Sequence, residues 1–157
     1  MKQRKSRNER NEMIKRHPIT NKMLYCFKGP LREADLEGLN LKWVDLKGAN
    51  LNGAKLKNSN LEGANLEGAD LEGADLEGVN LKGANLKGAN LENAYLKWAI
   101  IEDADLRGAN LECSHLERAS LEGSDLEGAN LKWANLKEAN LNEAYLEGAS
   151  FERAYFG

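Results

Sequence analysis

Cysteine, proline and aromatic residues are scarce in this 157-residue chain, and each scarcity excludes something. Two cysteines, Cys26 and Cys113, cannot build a disulfide framework, so a reducing cytoplasm is the expected home. No stretch approaches the ~18 consecutive apolar residues that a membrane span requires. The N-terminus is basic but no apolar run follows it, so it does not read as a secretory signal. Only 6% of the residues are aromatic, yet 41% are apolar, enough Leu, Ile, Val and Phe to argue against global disorder despite 30% charge. The length suits one domain with a real core.

Charge divides the chain unequally. Residues 1–28 hold nine Lys and Arg against Glu9 and Glu12, a net +7. The remainder holds 13 basic and 23 acidic residues, a net −10, which together recover the overall −3. The boundary falls near Gly29-Pro30.

Beyond that boundary the sequence repeats. From Leu31 to Phe156 every fifth residue is large and apolar: 23 Leu, Ile101, Phe151 and Phe156. Two residues before each sits a small residue, Ala at 19 of the 25 positions from Ala34 to Ala154. The residue between them is Asn or Asp at 17 of 25, and Gly is favoured two residues after the Leu. No insertion or deletion breaks the register.

A helix cannot use this pattern. Five residues advance ~500° at 3.6 per turn, which scatters the Leu side chains round the axis. Each interior Gly would also cost ~1 kcal/mol. A short strand can use it: Ala-Asn-Leu alternates in, out, in, and the next two residues turn a corner that Gly tolerates. Such a strand is stable only when stacked on copies of itself, burying Leu and Ala in a continuous interior. The expectation is a solenoid.

Ala-Asn-Leu-Glu-Gly at 64–68 and Ala-Asp-Leu-Glu-Gly at 69–73 resemble the consensus of the pentapeptide-repeat family, and the resemblance runs over residues 31–156. It implies an all-β fold, a right-handed quadrilateral parallel β-helix with four pentapeptides per coil. The Leu and the small residue then face inward. Twenty residues per coil would stack the column Glu37, Lys57, Glu77, Lys97, Glu117, Lys137 with alternating charge, which favours each cross-strand pair slightly. The four sides themselves come from the resemblance. About six coils at ~4.8 Å each make a rod roughly 30 Å long.

Three segments are expected: a basic flexible arm over 1–17, a short helical cap over 18–30, and the β-helix over 31–157. Pro18 suits a first helical position, Gly29 a C′ position and Pro30 a stop. Ile19, Met23, Cys26 and Phe27 would form that helix's apolar stripe. At the other end Phe151 and Phe156 replace Leu and Tyr155 sits between them, with no capping segment in the sequence before Gly157.

Candidate sites are few. Cys113 and His115 lie two apart, but a zinc site wants three or four ligands, and His17 and Cys26 are distant in sequence. Neither a metal nor any other cofactor is expected. No nucleophile–base pair, phosphate-binding glycine loop or acid pair stands out, so no enzyme and no small-molecule substrate are expected. Tyr95, Trp98 and Ile100 replace Asn, Gly and Asn at outward positions within six residues, a candidate contact for an unidentified protein partner. Spacing of 20 would place Trp98 over Arg118 and Trp133 over Arg153 as cation–π pairs, and Trp43 against the cap. Phe151, Tyr155 and Phe156 are candidate contacts of a homodimer formed through the C-terminal end.

The leading functional expectation is a rigid scaffold for protein–protein interaction. The resemblance adds a second: family members that mimic duplex DNA and bind DNA gyrase or a related type II topoisomerase. Against it stand a surface that alternates Lys with Glu and the basic arm. A third is nucleic-acid binding by that arm, which lacks interleaved aromatics.

Overall fold

Backbone bridges join residues twenty apart in parallel register, from Asp35↔Lys55 through to Asn135↔Tyr155. Twenty residues hold four pentapeptides, so each coil has four sides. This is the geometry of a computed structural model, in which residues 14–16, 23–25 and 31–157 are described.

One repeat shows how a side is held. The Asn85 N–H donates to the Ala64 carbonyl at 2.9 Å, toward the preceding coil. The Leu86 N–H donates to the Asp105 carbonyl at 2.7 Å, toward the following coil. The Ala89 N–H then closes a turn onto the Leu86 carbonyl at 2.9 Å. The third residue of that turn, Gly88, has φ 63°, as a type II turn demands. Positive φ recurs two residues after every large apolar residue from Glu33 to Arg153.

Asn and Asp before the Leu stabilise the same corner. The Lys47 N–H donates to Asp45 Oδ1 at 3.2 Å, the Glu62 N–H to Asn60 Oδ1 at 3.1 Å and the Lys87 N–H to Asn85 Oδ1 at 3.1 Å. These are Asx turns, which only a short side chain with an oxygen at that reach can make. The Asn amides also climb the rod: Asn130 donates to Asn110 at 3.0 Å, Asn110 to Asn90 at 3.2 Å and Asn90 to Asp70 at 3.1 Å.

Inside, the Leu residues from Leu51 to Leu136 and most of the small residues are fully buried. Three small positions are serines. Ser59 and Ser124 donate to the Leu56 and Leu121 carbonyls at 2.7 Å, whereas buried Ser114 Oγ has no partner. Outside, partly exposed Lys–Glu pairs link coils: Lys42–Glu62 at 2.6 Å, Lys47–Glu67 at 2.9 Å, Lys57–Glu77 at 2.7 Å and Lys82–Glu102 at 3.0 Å. Each contributes little singly. The hydrogen bond to its Glu raises the Lys57 ammonium, and likewise Lys47 and Lys82, above the usual lysine range.

The two ends differ. Leu31 and Leu36 are 8% and 5% exposed, whereas Leu146 and Phe156 are 39% and 53% exposed. Among the described residues, the N–H groups of Leu141, Leu146 and Phe151 lack the next-coil acceptor that the same positions find elsewhere.

Ahead of the coils, strand β1 (Ile14–Arg16) pairs antiparallel with strand β2 (Met23–Tyr25), in the register Ile14↔Tyr25, Lys15↔Leu24 and Arg16↔Met23. This corrects the helical cap expected over 18–30 at Met23–Tyr25, and the flexible arm expected over 1–17 at Ile14–Arg16. A helical stripe and a hairpin strand share short apolar runs. What decides here is a pairing partner upstream, with β-favouring Ile and Tyr facing each other in the register. The rest of the expected arm and cap lies outside the described residues. Among the described residues no helix is long and apolar enough to cross a membrane.

Gly63 shows where glycine is needed for space as well as for φ. A Cβ there would lie 2.0 Å from the Trp43 ring, because the indole lies against this corner. Trp43 thus covers the coil after it, while the cap it was expected to meet lies largely outside the described residues. Gly68 has the same φ with nothing within 4 Å. Gly63→Ala is expected to cost about 1–3 kcal/mol more than Gly68→Ala in thermal denaturation. Equal losses would remove the contact from the account.

Candidate functional site

Twenty-residue coils put Tyr95, Trp98 and Ile100 round one corner of the rod, near its middle. Tyr95 and Ile100 occupy the ladder positions between Asp75 and His115 and between Asn80 and Ser120. All three side chains remain exposed, at 52%, 45% and 40%. Each departs from what the position rewards. Tyr95 and Ile100 give up the Asx turn that Asn or Asp would make. Trp98 holds φ 58° without being glycine, which costs an L-residue roughly 1–2 kcal/mol.

The neighbours show how the cluster is built. The Tyr95 ring stacks on the His115 imidazole, with centroids 5.0 Å apart and planes 3° from parallel. His115 Nδ1 lies 3.9 Å from Glu117 Oε1. The Lys97 ammonium sits 4.2 Å from the centre of the Trp98 ring. This overturns the expected Trp98–Arg118 pair. Arg118 instead donates to Glu138 at 2.7 Å, and that bond holds the Glu138 carboxyl below the usual range. A guanidinium gains more from a carboxylate in reach than from a ring face. Lys97 is thereby diverted from its charge column, and buried Glu117 Oε2 has no hydrogen-bond partner. The second expected pair is present, with Arg153 lying 4.5 Å from the centre of Trp133.

The cluster is therefore an apolar strip carrying one fixed cation. It has the composition of a contact surface, with aromatic anchors inside a polar rim. No nucleophile is paired with a base in it. Cys113 is a partly buried free thiol two residues from His115. Among the described residues no three of His, Cys, Asp and Glu come together as a metal site. His17 and Cys26 lie outside the described residues.

At the C-terminal end two of the three aromatics meet within the chain. Phe151 and Phe156 lie 5.8 Å apart between ring centroids, tilted by 43°. Phe151 remains half-buried, while Tyr155 is 54% exposed. Tyr145, 68% exposed, belongs to the same end and was not singled out by sequence. Its replacement of Asn or Asp, like that at Tyr95, was the available signal.

Comparison with known proteins agrees with this geometry. Pentapeptide repeats, in eight copies, match residues 31–63, 59–97, 89–128, 99–137 and 129–156. A pentapeptide repeat protein, Rfr23, from the cyanobacterium Cyanothece 51142 is 31% identical, with 78% of this chain and 91% of that chain covered and a TM-score of 0.39. HetL, a pentapeptide repeat protein involved in heterocyst differentiation regulation from the cyanobacterium Nostoc sp. strain PCC 7120, is 32% identical, with 79% and 70% covered and a TM-score of 0.29. QnrB1, a plasmid-mediated fluoroquinolone resistance protein, is 19% identical, with 78% and 77% covered and a TM-score of 0.52, a likeness of fold alone. No curated protein matches. The unbroken five-residue register, the bridges at twenty and the matches over 31–156 lead to one conclusion: the chain belongs to the pentapeptide repeat family.

Proposed function

We propose that this protein is a non-enzymatic rigid scaffold for protein–protein interaction in a reducing cytoplasm, and that Tyr95, Trp98 and Ile100 form its partner contact. The observation that carries the reading is the coincidence of three departures from the repeat on one exposed corner. Positions that break several local rules together and stay exposed are where function is expected. Self-association through the C-terminal coil, with Phe151, Tyr155 and Phe156 in the contact, belongs to the same proposal.

The test uses a variant that restores the repeat: Tyr95→Asn, Trp98→Gly and Ile100→Asn together. It should melt at or above the wild-type temperature, since Asx turns return and strain leaves. It should lose partners that cross-linking and mass spectrometry recover with the wild-type chain. A lower melting temperature would make the aromatics part of the rod's own packing. Unchanged capture would place the contact elsewhere.

A second reading, a DNA mimic acting on a type II topoisomerase, rests on the net −10 of residues 29–157. Against it, Lys–Glu pairs between coils break up the negative field that a mimic needs. Inhibition of DNA gyrase supercoiling by the purified protein would favour this reading over the first. Nucleic-acid binding through residues 1–28 is the third, and would weaken steeply with salt.

A further inference from the structure

Trp98 and Trp133 hold the same place in their repeats, and so do the residues twenty after each, Arg118 and Arg153. All four backbones share one turn geometry, with φ between 58° and 60°. The side chains nevertheless differ. Arg153 lies 4.5 Å from the centre of the Trp133 ring, whereas Arg118 is held by Glu138 at 2.7 Å. The guanidinium that covers one indole is thus withheld from the other. Lys97 stands in for it, 4.2 Å from the centre of Trp98.

Lys97 has a second place to go. In the same charge column Lys57 reaches Glu77, twenty residues on, at 2.7 Å. The same step from Lys97 leads to Glu117, whose buried Oε2 has no hydrogen-bond partner. An ammonium on a surface ring and an ammonium on a partly exposed carboxylate are both weak contacts, so moving from one to the other costs little. The corner also has a sign. Residues 95–103 and 115–122 carry two basic residues, Lys97 and Arg118, against four acidic ones, Glu102, Asp103, Glu117 and Glu122, a net −2. An exposed aromatic strip in a negative field attracts a partner of the opposite charge.

We infer that the Tyr95–Trp98–Ile100 corner recognises an arginine in a basic segment of a partner protein: the guanidinium takes the face of Trp98, and the displaced Lys97 ammonium moves to Glu117. The inference rests on the reading of this corner as the partner contact, and it names the chemistry of the partner. Two cations on one ring repel, so the incoming group drives Lys97 off, and Glu117 gains the partner it lacks. Arginine fits better than lysine, because a planar, weakly hydrated guanidinium stacks on a ring face where an ammonium holds its water. The Arg153–Trp133 contact is the same recognition made within the chain.

Titration of the full chain with a short peptide of alternating Arg and Gly, at about 50 mM salt, tests this, with the Trp98 indole N–H followed by NMR. A Lys-Gly peptide of the same length and charge is the comparison. The arginine peptide should bind at least about threefold more tightly. Trp98→Gly, which returns the repeat residue, should abolish that preference with the melting temperature kept or raised. Lys97→Gln should strengthen arginine binding more than Lys87→Gln, which removes the same charge from another side of the rod. An effect no larger than that of Lys87→Gln would overturn the displacement of Lys97. No binding of the arginine peptide, equal affinity for the two peptides, or a preference that survives Trp98→Gly would overturn the arginine assignment. If cross-linked partners are then still lost when the three repeat residues are restored, the partner contact stands with another chemistry. If they are retained, both readings fall.

Discussion

Leu86→Asp should abolish cooperative folding, while Lys87→Glu, one residue along, should melt almost as the wild type does. Leu86 is 0% exposed and touches the interior column from a middle coil, whereas Lys87 faces solvent. Removing the Leu forfeits roughly 1.5–3 kcal/mol of burial. The carboxylate then enters an interior with no charged or amide partner, where it must either protonate or pull the side open. A small domain has only about 5–15 kcal/mol in reserve. In a solenoid the damage also spreads, because each coil is stabilised by its neighbours alone. Lys87→Glu exchanges one solvated charge for another and should cost under about 1 kcal/mol. Circular dichroism during thermal melting separates the two. Similar losses would contradict the inward and outward assignments.

The second large effect depends on where one extra residue is placed. Inserted between Asn85 and Leu86, a Ser lies in the middle of a side. Ala84 and Leu86 must both face inward across a single outward residue, so two intervening residues force one of them out. The ladder bonds from Asn85 to Ala64 and from Leu86 to Asp105 cannot both be kept. The expected loss is about 3 kcal/mol or more, from an exposed Leu and unmet backbone groups. Inserted between Lys87 and Gly88, the same Ser lies at a corner, where the chain turns away from the axis and can bulge into solvent. That variant should stay folded, with a loss of about 1 kcal/mol. If the two insertions behaved alike, the division into sides and corners would be wrong.

Most of the rod was legible because the repeat is written in residue size. Leu and Ala recur in a register that only a coil of short strands can bury. The Lys57–Glu77 pair of the charge column and the Trp133–Arg153 pair followed once twenty residues were taken as one coil. Other features were illegible for specific reasons. Trp98 had two cations in range, and the choice of Lys97 depended on Arg118 finding Glu138, a side-chain competition that spacing does not encode. Trp43 was set against a cap because Gly63 appeared to be an empty position, when its lack of a Cβ is what admits the indole. Non-glycine residues at the corners, such as Glu33, Asn58 and Arg118, give no sequence sign that they hold positive φ. Only the regularity of their neighbours does. Before Leu31 there is no repeat to constrain a reading. The stripe of Ile19, Met23, Cys26 and Phe27 is compatible with a helix, and β1–β2 pairing places a strand at Met23–Tyr25.

The contact cluster was legible for the opposite reason. In a strict repeat, Tyr95, Trp98 and Ile100 are visible as departures, and the structure leaves all three in solvent. Sequence could not say that His115 would stack on Tyr95 or that Lys97 would cover Trp98. Both contacts hold the aromatic side chains in place in the free chain, which would lower the ordering cost of the proposed binding.

The central structural claim is that twenty residues make one interchangeable coil. Deleting residues 106–125 tests it, because the cut removes one whole coil and joins Asp105 to Leu126 in register. It stacks Lys87 under Glu127 and Glu92 under Lys132, so two opposite-charge pairs form across the junction. Small-angle scattering should show the same rod shortened by ~4.8 Å, with cooperative melting retained. A chain that loses its cooperative transition, or one that keeps its full length, would contradict a four-sided coil of twenty residues.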